Sequence, residues 1–447
     1  MLRFIKYSLA LVAAVLIVSA CDKKLDLEPA QSISEELALS TDANVKSVLL
    51  GAYDALGNYA FWGGYTMRDA ELAGADGEIR WVGTFNGPRE VFNHTMIAEN
   101  PEAEAMWNAG YNAINIANNV LSALSVVKAD DRDQVEGEAL FIRAVCHFEL
   151  VRFFAKPYEA GGNNTQPGIP LMLRPTREID DASFVSRASV EDVYAQVVTD
   201  LAAAFDKLPE ENGNLANKYA AAAMLARVHL QKGEYDHARD HANDVIGADV
   251  YSLVSDYASE FNNDDNTSED IFANQISTQD GTNDMVTYYS IPEFGGRDGD
   301  IEIEQKHLDL YDPNDARLLF HYDGNGAIRA GKWRDQYRNI PNIRLAEMYL
   351  IRAECNQRLG TSVGAPVDDD YNATHTRAGL PAKSGVTLDD ILLERRLELA
   401  HEGHKLHDVK RLKGTVDGLP YDDPKLVYPI PAREIAANPN LSQNQGY

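Results

Sequence analysis

Residues 217–247, NKYAAAAMLARVHLQKGEYDHARDHANDVIG, restrict the fold more than any other stretch of the chain. Tyr219, Ala222, Ala226 and Leu230 recur at steps of three and four, which is one face of a helix. Gly233 ends that helix, and Tyr235, Ala238, Ala242 and Ile246 stripe a second. Small residues on both stripes let the two backbones approach closely. A lone hairpin of this kind cannot bury its own stripe and needs neighbours. The rest of the chain is therefore expected to supply further helix pairs.

The Gly-x-Tyr-x-x-Ala step across the turn looks like a tetratricopeptide repeat. Other periodic stretches lie at 42–57, 102–125, 133–155, 190–207, 340–359 and 387–402. Ser189 reads as an N-cap, and Pro209 follows the helix that it opens. Between the pairs lie two long irregular stretches, 57–95 and 250–335. The first holds Tyr59, Trp62, Tyr65, Trp81 and Phe85, and the second holds Tyr288, Tyr289, Phe294 and Trp333. Long irregular segments in a compact chain are usually functional or disordered, and aromatic richness argues against disorder. The predicted fold class is all-α, a tetratricopeptide-like helix-hairpin scaffold with long irregular insertions.

Charge narrows the function. The formal net charge is −28, from 69 acidic and 41 basic residues. Nucleic-acid binding through phosphate neutralisation needs a clustered basic footprint, so it is not expected. Residues 1–20 read as a targeting segment. Arg3 and Lys6 precede an apolar run from Ser8 to Val18, and Val18-Ser19-Ala20 leads directly to Cys21. Small residues before a cysteine resemble a bacterial lipobox, which makes Cys21 the predicted lipidation site. Residues 21–40 then form a polar tether, and 41–447 a single folded unit. Cys146 falls on the apolar face of Val135, Ala139, Ile142 and Phe153, so it reads as a small core residue and not as half of a bridge to Cys355.

Several blocks, in order along the chain, resemble the SusD/RagB family of outer-membrane lipoproteins. They are Cys21 with LDLEP at 25–29, EGEALFIRAVCHFELVRFFAKPY at 136–158, and Ser189-Val190 through Leu208-Pro209. After the hairpin come IRLAEMYLIRAEC at 343–355, TRAGL at 376–380 and ERRLELAHEGHKLHDVKRLK at 394–413. YPIP at 428–431, Asn438-Pro439 and QNQGY at 443–447 close the set. His401, His404 and His407 depart from the family's aromatic or basic residues at these places. The resemblance implies a binding protein without enzyme activity, anchored by lipid at the cell surface. It also implies two partners: an oligosaccharide, or in some branches a peptide, and a TonB-dependent (SusC-like) outer-membrane transporter that the protein covers like a lid.

Sugar rings are bound by flat aromatic faces flanked by polar groups. The first irregular stretch offers Trp62, Tyr65 and Trp81 with Asp76, Arg80 and Asn86; the second offers Tyr288, Tyr289 and Trp333 with Arg297. These are the candidate ligand-binding residues. Glu347 and Glu354 share the apolar face of their helix, and Arg395 faces inward on the last one. Buried charges must pair, so these three read as a structural ion-pair network and not as the acid and base of a glycosidase. His401, His404 and His407 spread around a helix, so at most two neighbours could share a metal, and none is assigned. The acidic runs 262–265, 312–315 and 368–370 could ligate calcium, but they lack EF-hand spacing and read as solvated turns. No P-loop or dinucleotide fingerprint is present, and no cofactor is expected.

Overall fold

The computed structural model describes residues 35–279 and 281–447. The lipobox at Cys21 and the tether up to residue 34 fall outside that range. Helices dominate. They are α1 (Asp42–Leu56), α2 (Tyr65–Ala73), α3 (Asn86–Phe92), α4 (Pro101–Ser122), α5 (Arg132–Phe154), α6 (Val190–Lys207) and α7 (Lys218–Lys232). After them come α8 (Tyr235–Gly247), α9 (Asp284–Tyr289), α10 (Leu345–Leu359), α11 (Val367–His375), α12 (Leu388–Glu398) and α13 (Lys405–Arg411). Among the described residues, no helix is long and apolar enough to cross a membrane.

The scaffold is a chain of packed neighbours: α1 on α4, α4 on α5, α5 on α6, α6 on α7, α7 on α8, then α8 on α10 and α10 on α12. Side chains set the starts. Thr41, Asn100, Ser189 and Asn217 each cap a helix by accepting a backbone N–H with the side-chain oxygen. Gly233 closes α7 in the left-handed conformation, φ +74°, which an L residue adopts at a cost. The hairpin thus forms where its periodicity places it. However, α7 is buried on every side from Tyr219 to Leu230, and α8 fully buries only Ala238, Ala242 and Val245. A helix that is apolar all round belongs in the middle of a stack, and the alanines are what let α6 and α8 close on it.

Three expectations need correction. Residues 340–344 are a strand, paired antiparallel with Asp270–Asn274, and α10 starts only at Leu345. The last long helix ends at Glu398; His401 (φ +66°) and Gly403 (φ +84°) turn the chain into α13. The irregular stretches 57–95 and 250–335 hold short helices. They are also stitched together by an antiparallel pair, Ile79–Trp81 on Ile301–Ile303. Cys146 and Cys355 are both buried and free.

Glu347 and Arg395 meet at 3.3 Å, with Arg227 closing on the other side of Glu347 at 2.6 Å. Glu354 does not touch Arg395. It binds Arg411 at 2.6 Å, and Asp408 links the two arginines at 2.6 and 2.9 Å. A second cluster surrounds Arg344, which reaches Glu269, Glu398 and Glu402 at 2.6, 3.1 and 2.8 Å. Burial opposes ionisation of Glu347, Glu354 and Glu402, but the arginines beside them hold all three below the ordinary carboxylate range. Burial opposes ionisation at Glu398 and Asp408, but the neighbouring arginines win and bring both pKa values down to about 2.

Removing Arg395 leaves Glu347 to Arg227 and Asp408 to Arg411 alone, so Arg395→Met should cost about 1–3 kcal/mol in urea denaturation. Burial also lowers the pKa of His404 and His147 to about 3 and holds that of His407 well below the ordinary imidazole value. A neutral buried imidazole stabilises the fold above pH ~6.5 and loses that contribution as pH falls, by up to about 1.4 kcal/mol per unit. Asp69 and Asp270, raised to about 6 by burial, work in the opposite sense. The melting temperature should therefore fall between pH 7.5 and 5.0. His407→Phe, which keeps the edge-on ring packing against Phe153 (centroids 5.0 Å apart), should make that fall shallower.

Candidate functional site

Residues 57–65 turn tightly after α1. Phe61 N–H donates to the Asn58 carbonyl at 2.8 Å, and Tyr65 N–H donates to the Tyr59 carbonyl at 2.9 Å. Gly63 lies directly on the Gly57 and Asn58 backbone, where a Cβ would collide with it. This turn leaves the Tyr59 ring outside, 54% exposed, edge-on to Tyr65 at 5.4 Å. On α2, the Arg68 guanidinium lies 3.9 Å from the Tyr65 ring centre and 4.3 Å from that of Tyr288 on α9. Tyr288 in turn packs on Trp81 at 5.9 Å. The result is a continuous row, Tyr59, Tyr65, Arg68, Tyr288, Trp81, built from four separate segments. Arg68 is wholly buried and neutralised by Asp69 at 2.7 Å and by Glu102.

Phe85, which follows Trp81 in the same segment, is 48% exposed at the surface. Arg297 lies 3.8 Å from the Phe85 ring centre, donates to Thr84 Oγ1 at 3.0 Å and pairs with Asp300 at 3.2 Å. Asn86 accepts from Arg89 at 3.1 Å beside it. On the other side of Tyr59 a cleft of about 630 Å³ opens, walled by Asn58, Asn214, Asn274, Gln275, Thr282 and Asp284 among others. Flat rings beside a cleft lined by amide and hydroxyl groups suit a polyhydroxylated ligand.

The candidates from the sequence separate into groups. Tyr65 and Tyr288 meet over Arg68 and Trp81 packs on Tyr288, but all three rings are buried, so they support a surface and do not form it. Asp76 and Arg80 lie at the surface but are taken up by Lys306 at 2.8 Å and by Glu304 at 2.7 Å with Glu302. Trp62, Tyr289 and Trp333 require correction: their rings are core. Trp62 packs on Phe272 and donates to Glu149 at 3.1 Å; Trp333 packs on Phe261 and donates to the His401 carbonyl at 3.1 Å; Tyr289 is fully covered. The exposed rings are those of Tyr59 and Phe85, which ring type alone does not single out. Asn58, Asn214, Asn274 and Gln275 carry no sequence signal, because amides are common in turns of every kind.

The acidic runs are largely occupied internally. Asp264 pairs with Arg338, Asp370 binds Arg352 at 2.6 Å, and Asp368 accepts backbone N–H groups of Gly385 and Val386 at 2.8 and 2.9 Å. His401, His404 and His407 diverge: His404 faces Glu347 at 3.8 Å, His407 faces Phe153, and His401 faces His307.

Residues 23–230 match a family profile described as "Starch-binding associating with outer membrane", and residues 321–423 match one described as "SusD family". The SusD-like protein P2 of Formosa agariphila is 26% identical over 99% of this chain and 100% of its own length. A SusD superfamily protein of Bacteroides thetaiotaomicron superimposes with a TM-score of 0.82 at 25% identity, covering 90% of this chain and 99% of that one. A putative sugar binding protein of Bacteroides vulgatus superimposes with a TM-score of 0.81 at 26% identity, over 91% and 99% of the two chains.

Asp284 sits where the row meets the cleft, and burial raises its pKa to about 7 against the pull of Arg68. A raised carboxyl stabilises the fold below its unfolded value and loses that contribution as pH rises through 7. Asp284→Asn should therefore melt higher than the parent at pH 8.5, by the equivalent of about 1–3 kcal/mol, with the difference shrinking at pH 5.5.

Proposed function

The chain belongs to the SusD/RagB family, and from that premise we propose that it captures oligosaccharides at the outer membrane. The observation that carries this reading is the aromatic row around Arg68, open at Tyr59 and Phe85 and adjoining an amide-lined cleft. A sugar ring would lie on Tyr59 or Phe85 through its C–H face, and its hydroxyls would exchange hydrogen bonds with Asn58, Thr282, Asn86 and Arg297. The buried Arg68 stiffens the platform: a cation held between two rings keeps both from rotating away. Pre-formed rings lose little entropy when a ligand arrives.

In this reading the protein is a binder. The outer-membrane association in the family description supports the location, and the lipobox at Cys21 supports a lipid anchor. The anchored body would sit over a TonB-dependent transporter and pass the captured sugar down as the lid closes. Glu347, Glu354, Glu398 and Glu402 are engaged by buried arginines, which supports a structural role for these four carboxylates.

Tyr59→Ala and Phe85→Ala should each weaken binding of the cognate oligosaccharide about tenfold, and together about a hundredfold, as measured by calorimetry. Folding should be untouched, since both rings are half in water. Strong heat with an oligopeptide and none across a panel of glycans would replace the proposed ligand class with peptides. Steady product release from a labelled oligosaccharide would refute a binding-only role.

A further inference from the structure

Three histidines far apart in the chain converge beneath the insertions. His307 lies in the short helical turn Gln305–Leu308, His321 opens the strand His321–Gly324, and His401 sits in the left-handed turn between α12 and α13. One ring nitrogen from each lies within 4.8 Å of the other two. The rings are 4.9 Å apart for His307 and His401, 5.8 Å for His307 and His321, and 6.2 Å for His321 and His401. His401 is only 3% exposed, yet neither of its ring nitrogens has a hydrogen-bond partner among the described residues. A buried imidazole normally satisfies at least one nitrogen, so His401 stands out beside its two bonded neighbours as a buried group with nothing among the described residues to bind.

We propose that His307, His321 and His401 bind a divalent transition-metal ion, zinc by the chemistry of their donors. The outer contacts fit that role. His307 Nδ1 lies 3.1 Å from the Glu78 carboxylate, and His321 Nδ1 lies 3.2 Å from the Leu318 carbonyl. Acceptors at these positions hold the proton on Nδ1, which leaves the lone pair on Nε2. A carboxylate or carbonyl behind each imidazole is how zinc-binding histidines are oriented. A point within about 2.8 Å of all three donors exists, against zinc–imidazole bonds of about 2.0–2.1 Å, so closing the site takes under about 1 Å of movement per ring.

Space and charge also fit. A small cavity of about 10 Å³ is lined by Tyr311, His321, Lys332 and His401, room for one water-sized occupant. His307 and His401 also line a cavity of about 320 Å³ bounded by α12 and α13, which gives an entry path. Of the nearby cations, Lys332 pairs with Glu402 and Arg317 with Asp315 and Glu394, while Lys405 and Arg396 share Glu78, with Glu71 and Asp76 also acting on Lys405. The Tyr311 hydroxyl, 3.1 Å from His307 Nε2, would give up that bond to the metal and face the fourth coordination position. Neutral imidazoles with an open fourth position suit zinc. The ion would clamp segment 305–321 to the turn that ends the helical stack.

The test uses untagged protein stripped with a chelator, loaded with zinc, desalted and assayed for metal. One equivalent should remain with the parent and with His237→Gln, a surface control, and His321→Gln should lower retention at least tenfold. Zinc should raise the melting temperature of the parent and not of His321→Gln. No retained zinc, or equal retention in His321→Gln, would overturn the proposal. If that variant fails to fold, cobalt added to the parent decides: an intense visible absorption of a four- or five-coordinate nitrogen site is expected, and its absence is fatal.

Discussion

Burying like charges in one seam is possible only if each finds an opposite partner, and this constraint organises the molecule. Glu398 at the end of α12 and Glu402 in the turn after it face Arg344, and Glu398 also takes Arg377 at 2.5 Å and Arg317 at 3.4 Å. The arginines come from three different places: the strand before α10, the turn after α11 and the 250–335 insertion. Desolvating such groups costs several kcal/mol per ion, so the pairing does not make the fold cheap. It makes alternatives expensive, because any register that separates a pair leaves a bare charge in the interior. The insertion is thereby locked onto the helical stack in one position.

That lock is what allows the loops to hold the proposed binding surface. Tyr288 stands on the second insertion and Trp81 on the first, and their contact depends on the Ile79–Trp81 and Ile301–Ile303 strand pair. Arg68, from α2, fills the gap between Tyr65 and Tyr288 and is held by Asp69 and Glu102. The same logic operates twice: a buried arginine joins an insertion to the scaffold, once under the platform and once behind it. The histidine cluster lies between these two regions, where the insertion meets the turn after α12.

The sequence speaks clearly where the controlling interactions are local. Helix starts follow from side-chain caps such as Ser189 and Asn217, and the α7–α8 turn follows from Gly233. The inward charges of Glu347 and Arg395 follow from helical periodicity. Even the partners of Glu354 show the limit: its helix face is readable, but Arg411 replaces Arg395 as its neighbour, because α13 was not foreseen as a separate helix. Residues 340–344 misled for the same reason: an apolar run is strand or helix according to what pairs with it, here Asp270–Asn274.

Aromatic content singles out the two insertions but does not tell which of their rings stay exposed. A ring's appetite for burial is a property of the residue; whether it is covered depends on segments hundreds of positions away. Trp333 and Trp62 are closed over, and Tyr59 and Phe85 are left half in water. His307, His321 and His401 share no spacing that a motif could encode, and only the folded chain puts their nitrogens within 4.8 Å. Periodicity, caps and family blocks, all short-range or ordered along the chain, thus determined the helical scaffold and the class of protein. The proposed ligand surface and the cluster that could meet a metal were decided by long-range packing, because exposure and convergence are properties of three dimensions that one-dimensional spacing does not carry.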